Sequence, residues 1–199
     1  ETAGCRPTIW MRGKSAAANI QSSREIPQLP GFHLDEDIFV TADLGSAVRQ
    51  ARDAIVLAVP AQSIREVVIA AAPYIPAGVP LVLAAKGIEN GTGRLLSEIL
   101  AGILPQAPLA VMSGPGFAAE VATGLPTAVT LACRDSRMSR RVAALFMLPH
   151  FRPYLSNDPV AAEIGGALKN VMAIASGIII GHGLGENARA ALLTRGLAE

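Results

Sequence analysis

Short, wholly apolar runs alternate along this chain with stretches whose apolar residues recur three and four positions apart. The first pattern predicts strands buried on both faces, and the second predicts amphipathic helices. Pro7–Met11 reads as a strand, followed by a polar stretch holding Arg12, Lys14 and Asn19. Ala54–Val59 is the next such run, entered from Asp53 and closed by Pro60. Over 62–72 the spacing predicts a helix with Ile64, Val67, Val68 and Ala71 on one face. Val79–Ala85 is a further strand, ending at Lys86-Gly87, and 93–104 is a helix presenting Leu96, Ile99, Leu100 and Ile103. Leu109–Met112 follows as a strand that runs into Ser113-Gly114-Pro115-Gly116. A short helix over 117–123, a strand over 128–132, a helix over 136–146 and a strand over 151–155 complete the alternation.

Strands separated by helices and apolar on both faces predict an α/β fold built on a mostly parallel, doubly wound sheet. Ligands of such sheets sit beyond the carboxyl ends of the strands. Arg12, Pro60, Lys86 and Ser113-Gly114 each follow a strand end, so they should line one edge of one crevice. After Ser156 the texture changes. Asp158-Pro159 is a helix start, with Asp as N-cap and Pro at the first helical position. From Pro159 to Ile180 the chain reads as one helix rich in Ala, Gly and Ile. Gly181 to Gly185 breaks it, and 187–199 reads as a second helix. Residues 1–156 are therefore expected to form the sheet domain, and 157–199 the start of an all-helical one.

Composition narrows the class. Hydrophobic residues make up 51% of the 199 and charged residues 17%, which suits a sizeable core and excludes a disordered polymer. A net charge of +1 offers no basic footprint for nucleic acid or a membrane surface. Cys5 and Cys133 lie far apart with no C-x-x-C spacing, so buried, reduced thiols are expected rather than a disulfide or zinc site. The uncharged apolar stretch Val171–Gly181 is shorter than the ~20 residues that cross a bilayer, and the start carries no signal-peptide pattern. A soluble, cytoplasmic protein without membrane insertion is the expectation. His33, His150 and His182 share no metal-ligand spacing.

Among candidate chemical groups Lys169 stands first. Its helix neighbours Ile164, Leu168, Val171, Met172 and Ile174 are apolar, and Gly165 and Gly166 clear its own face one turn back. A lysine taken out of water holds its proton less tightly and suits general acid–base work. A lysine snorkelling from the edge of a packed helix would have the same local pattern. Asn170 beside it is either a second polar ligand or a helix-surface residue. Lys86, at the end of a strand, suits an anionic ligand, although a plain solvated strand-end lysine would give the same pattern. Ser113–Ala118 opens a helix after a strand, where free backbone N–H groups can hold an anion, although a tight turn explains its glycines equally well. Arg12 ends what would be the second strand of a dinucleotide-binding sheet. Arg there suits a ribose 2′-phosphate, whereas an acid would hold a 2′-hydroxyl, so NADP is favoured over NAD. No G-x-G-x-x-G precedes Pro7.

Five segments occur in a telling order: Ala84-Ala85-Lys86-Gly87-Ile88-Glu89; Ser113-Gly114-Pro115-Gly116-Phe117-Ala118-Ala119-Glu120; Gly124–Ala128; Gly165-Gly166-Ala167-Leu168-Lys169-Asn170-Val171; and Asn187-Ala188-Arg189 with Thr194–Glu199. Together, over nearly the whole chain, they resemble the bacterial NAD(P)-dependent glycerol-3-phosphate dehydrogenases. The resemblance implies a Rossmann-like domain followed by a helical substrate domain. It implies hydride transfer between NAD(P)H and dihydroxyacetone phosphate, giving sn-glycerol 3-phosphate for glycerophospholipid synthesis. Lys169 would be the proton acceptor from the glycerol 2-hydroxyl, or the donor to the carbonyl in reverse. Lys86 would contact cofactor and substrate, Gly114 and Gly116 the substrate, and Ala118 and Arg12 the cofactor. Asn170 would join the polar network beside Lys169. A homodimer is implied for the full-length enzyme.

Two departures from the family pattern stand out. Position 116 is often Ser or Thr, and Gly116 offers only its backbone. The glycine loop, whose place is upstream of Glu1, and the arginine that would grip the substrate phosphate are not in these 199 residues, so weak turnover is expected of them alone. A related two-domain dehydrogenase acting on a β-hydroxyacid or sugar acid would carry Asn four residues after the lysine, where this chain has Ala173. A non-catalytic dinucleotide-binding protein would have no use for the two lysines.

Overall fold

The structure, a computed structural model, describes residues 5–198. Two short parallel strands, β1 (Thr8–Trp10) and β2 (Phe39–Thr41), pair with Ile9 opposite Val40. Between them α1 (Lys14–Ser23) packs Ala17 and Ile20 onto Leu34 and Val40, forming a small core of their own. The polar stretch after Met11 is therefore a helix. Only Ala17 and Ile20 of its residues are buried, too few to mark a period in the sequence. α2 (Leu44–Arg49) follows, with the Asp43 carboxylate accepting the Ser46 N–H at 3.1 Å as its N-cap.

The second sheet holds β3 (Ile55–Leu57), β4 (Leu81–Leu83), β5 (Leu109–Ser113), β6 (Thr127–Ala132) and β7 (Phe151–Ser156), side by side in sequence order. β3, β4 and β5 are parallel, β6 runs antiparallel to β5, and β7 is parallel to β6. The mostly parallel sheet is thus present with one reversal, and β1–β2 form a sheet apart from it. α3 (Ile64–Ala71) follows β3 between two 3-10 turns, and α4 (Leu96–Ile103) follows β4. α5 (Ala118–Ala122) joins β5 to β6, and α6 (Ser136–Phe146) joins β6 to β7.

Alternation along β4 shows why both faces had to be apolar. Leu81 and Leu83 point to one side, into a core with Ile64 and Val68 of α3 and Ile99 and Leu100 of α4. Val82 points to the other side and meets Leu131, Val142 and Ala143, the last two from α6. Each such side chain removed from water contributes about 1.5–3 kcal/mol. Ile64, Val67, Val68 and Ala71 form the buried face of α3, as their spacing predicts.

α7 (Pro159–Gly181) lies on β5 and β6, and α8 (Gly185–Ala198) packs back along it, with Met172 seated against Gly196. The second helix is described as far as Ala198, and Glu199 lies outside the described residues. α7 buries Glu163 and Gly166, whereas Leu168, Val171, Ile174 and Ile178 are exposed. Lys169 is therefore not enclosed by its apolar neighbours, because they point away from the sheet. Among the described residues α7 is the one helix long and apolar enough to cross a membrane by length and composition, a property that Val171–Gly181 alone conceals. Cys133 is buried as expected, but Cys5 is exposed, lying ahead of β1 and outside every core cluster.

Candidate active site

The site is assembled at the C-terminal ends of β4 and β5, where α7 crosses them. β4 delivers the chain to Lys86. Gly87 then turns with φ +143°, and a Cβ there would stand 2.9 Å from the Ala61 side chain, so the turn requires glycine. Lys86 Nζ donates to the carbonyl oxygen of Gly114 at 2.8 Å. Gly114, just past β5, has φ +140° and lies so close to β6 that a Cβ would be 3.1 Å from the Cα of Val129.

α7 reaches this point because Gly166 has no side chain. A Cβ at Gly166 would stand 2.6 Å from Ser113 Oγ and 3.7 Å from Lys86 Cγ. The helix backbone thus rests on the end of β5 and carries Lys169 to a cavity of about 440 Å³. Ser113, Gly114, Phe117, Thr130, Gly166 and Lys169 line it, and no carboxylate is among its lining residues. Lys86 approaches Lys169 closely enough for the two ammonium groups to interact. Burial first, and the charge of Lys169 second, push Lys86 below the ordinary lysine range. Two cations sharing one space without a counter-charge favour an anion between them.

The remaining predicted residues lie outside that cavity lining. Gly116 sits in open space, with nothing within 4 Å of where a Cβ would be. Ala118 opens α5, and Asn170 follows Lys169; both are exposed and outside the cavity lining. Arg12, just past β1, pairs with Glu66 of α3 at 3.3 Å. Its neighbour Arg65 donates through Nε and Nη2 to the carboxylate of Glu89, at 2.7 and 2.8 Å. Contacts therefore run from Arg12 through α3 to the loop that follows Lys86. Lys86 and Ser113-Gly114 meet at one crevice, whereas Arg12 follows a strand of the separate two-stranded sheet, and neither Arg12 nor Pro60 is among the residues lining the lysine cavity.

Ser113, expected at the crevice from its strand-end position, is buried at the cavity wall. Two participants escaped the sequence reading: Glu163, buried under α7, and the bidentate ion pair Arg65–Glu89, which holds the Glu89 carboxyl at about 2. Only Glu163 left a trace, as an acid within an otherwise apolar helix.

Comparison with known proteins bears on the same architecture. The family model described as the NAD-dependent glycerol-3-phosphate dehydrogenase N-terminus matches residues 1–139, and the C-terminal model of that family matches 158–199. A glycerol-3-phosphate dehydrogenase (NAD(P)+) of Rhodospirillum rubrum is 52% identical over 99% of this chain, which covers 56% of that protein. One from Paramagnetospirillum magneticum is 54% identical, with 99% of this chain and 71% of the relative covered. The crystal structure of glycerol-3-phosphate dehydrogenase from Coxiella burnetii superposes with a TM-score of 0.87 at 36% identity, over 96% of this chain and 58% of that one. The chain thus spans little more than half the length of the first and third of these relatives. With both family signatures matched in order along one polypeptide and the backbone shared with a solved relative, this chain belongs to the NAD-dependent glycerol-3-phosphate dehydrogenase family.

Proposed function

We propose that the protein interconverts dihydroxyacetone phosphate and sn-glycerol 3-phosphate with NADPH or NADH, with Lys169 as the proton-transferring residue. The observation that carries this reading is Lys169 lining a cavity without a carboxylate, with Lys86 close to it and anchored on the carbonyl of Gly114, which lines the same cavity. On this reading residues 1–156 form the cofactor domain and 157–199 begin the substrate domain. The product, a phosphorylated triol backbone, supplies glycerophospholipid synthesis in the cytoplasm, and the complete enzyme works as a homodimer.

The residues present fit a nicotinamide dinucleotide. Arg12 offers an exposed guanidinium past a strand end, which suits a 2′-phosphate and favours NADP. Lys86 and the backbone around Ala118 would hold the cofactor nearer the reacting centre. When bound, the reduced nicotinamide supplies the hydride for the substrate carbonyl carbon. The chain's own part is to place charge and a proton. Lys86 and the backbone at Gly114 and Gly116 orient the anionic substrate, with Asn170 beside the reacting lysine. Lys169, as its ammonium ion, donates a proton to the carbonyl oxygen as negative charge grows there, and its exposure lets water replace that proton. In the reverse direction neutral Lys169 accepts the proton of the 2-hydroxyl.

The test uses the complete translation product that carries this chain. Absorbance would follow cofactor oxidation with dihydroxyacetone phosphate and either reduced nicotinamide. Oxidation by the wild type, lost by about a thousandfold in Lys169→Ala with cofactor affinity within about twofold, is the expected result. No oxidation with either cofactor would remove the reading, and wild-type turnover in Lys169→Ala would remove Lys169 from it.

A further inference from the structure

The loop after Lys86 is held more firmly than its exposure explains. Ile88 and residues 90–94 are exposed, and such loops are by default the loosely held parts of a fold. Yet two side chains about one turn apart, at the entry to α3, grip it. Gln62 Nε2 donates to the Ile88 carbonyl at 2.9 Å, and the Asn90 N–H donates back to Gln62 Oε1 at 2.8 Å. Arg65 donates to both oxygens of Glu89, and the Thr92 hydroxyl adds a bond to Glu89 Oε2 at 2.5 Å. The loop also closes on itself, with Glu89 N–H donating to the Arg94 carbonyl and Gly93 N–H to the Glu89 carbonyl, each at 3.0 Å. The Glu89 side chain is only 14% exposed, so the carboxylate end of the pair is shielded, while the Arg65 end stays partly open to solvent.

The hydrophobic core has no need of this grip, since none of the gripped residues is part of it. Lys86 does. Its ammonium group is partly buried beside a second ammonium group, and a four-carbon stem with free rotors relieves such repulsion by swinging into water. The bond from Nζ to the Gly114 carbonyl, at 2.8 Å, holds its tip, and a flexible stem keeps that bond against the repulsion only while the backbone on both sides of Lys86 is fixed. β4 fixes one side, where Leu83 is fully buried in the sheet. The other side has only Gly87, a residue without a side chain to pack, before the gripped segment begins.

We propose that Arg65, Glu89 and Gln62 form a clamp that positions Lys86 beside Lys169 against their mutual repulsion, so that an anion-binding pair of ammonium groups is assembled before any substrate arrives. That the anion is a phosphorylated substrate rests on the function proposed above; the clamp itself does not. Arg65 and Glu89 are positioning residues, acting through Lys86 and touching no reacting atom.

The experiment compares the complete protein with its Glu89→Gln and Arg65→Lys variants, each labelled with 13Cε-lysine. The Lys86 resonance is assigned by its loss in Lys86→Arg. Each clamp variant should raise the Lys86 titration midpoint toward that of a free lysine by at least about half a pH unit, because the released ammonium returns to water. Amide exchange over 87–94 should accelerate about tenfold. In turnover, KM for dihydroxyacetone phosphate should rise about tenfold while kcat stays within about twofold. A lowered Tm with an unchanged Lys86 midpoint would mark the pair as merely structural and overturn the proposal. Arg65→Lys keeps the charge and decides the matter if Glu89→Gln fails to fold. If the wild type turns over no substrate, the functional reading fails while titration and exchange still judge the clamp.

Discussion

Gly166 and Ser113 meet where α7 crosses the end of β5, and this contact sets how near Lys169 comes to Lys86. Glycines one turn before Lys169 predict a cleared helix face, left open to a substrate or a second backbone. The structure divides that role. Gly165 faces open space, whereas Gly166 faces the Ser113 hydroxyl, 2.6 Å from where a Cβ would stand. Alanine normally stabilises a helix interior by about 0.5–1 kcal/mol over glycine. At 166 the sign should reverse, because Ser113 is buried and its hydroxyl cannot move away freely. Gly166→Ala is expected to lower stability by about 1–2 kcal/mol in urea unfolding. In a Ser113→Ala background the nearest atoms are ordinary contacts at 3.7 Å, and the same substitution should then stabilise. A Gly166→Ala protein more stable than wild type would mean that α7 does not rest on β5 as described. Lys86, Gly114 and Lys169 were legible because strand-end and helix-face rules are local. Ser113 was legible as a strand-end residue, but its contact with Gly166 was not, because that comes from a helix that begins 46 residues later, at Pro159.

At the scale of elements, α4 shows how the two parts of the chain are tied. Its first turn leaves backbone N–H groups without helical partners. Glu98 accepts the Leu95 N–H at 3.2 Å, and Glu163, reaching across from α7, accepts the Ser97 N–H at 3.0 Å. A carboxylate there also suits the positive end of the helix. Glu163 Oε2 is buried with no hydrogen-bond partner among the described residues, so the tie is made at some desolvation cost. Glu163→Ala should lower stability by about 1–2 kcal/mol, and Glu163→Gln, which keeps an acceptor for Ser97, should lower it less. Denaturant midpoints would check this order; a stabilised Glu163→Ala would show that desolvation outweighs the cap. Most elements were legible because their buried faces repeat. α3 and α6 kept their spacing, and β4 its double-sided apolar run. β2 and α2 escaped because three and six residues are too few to show a period, although Asp43 was a readable cap. α1 escaped because tertiary contact with β2 holds it rather than an apolar stripe of its own.

The molecule as a whole presents more surface than a compact chain should. Its accessible area is 12115 Å², against about 8,900 Å² expected for a compact monomer of this mass. Part of the apolar excess lies on one stripe of α7, where Val171, Ile174 and Ile178, three and four positions apart, are all more than half exposed; Ile180 and, on α8, Leu197 are more than half exposed as well. Apolar patches of this extent are covered in solution. The 199-residue chain should therefore self-associate, and Ile174→Glu with Ile178→Glu should weaken association about tenfold or more in sedimentation equilibrium. A monomer at high micromolar concentration would contradict this. The reversal between β5 and β6 has a different kind of consequence. A parallel crossover would carry the chain to the opposite end of the sheet, but this hairpin-like path returns it to the end it left. Residues 114–126 therefore both begin and finish at the crevice, and none of them is needed to hold the strands in register. Lengthening that stretch costs only loop-closure entropy, about 0.6 kcal/mol for each doubling. The rim of the cavity is thus the part of this fold most open to insertion, a place where descendants of the chain can acquire new reach over the two lysines while the sheet beneath them stays as it is.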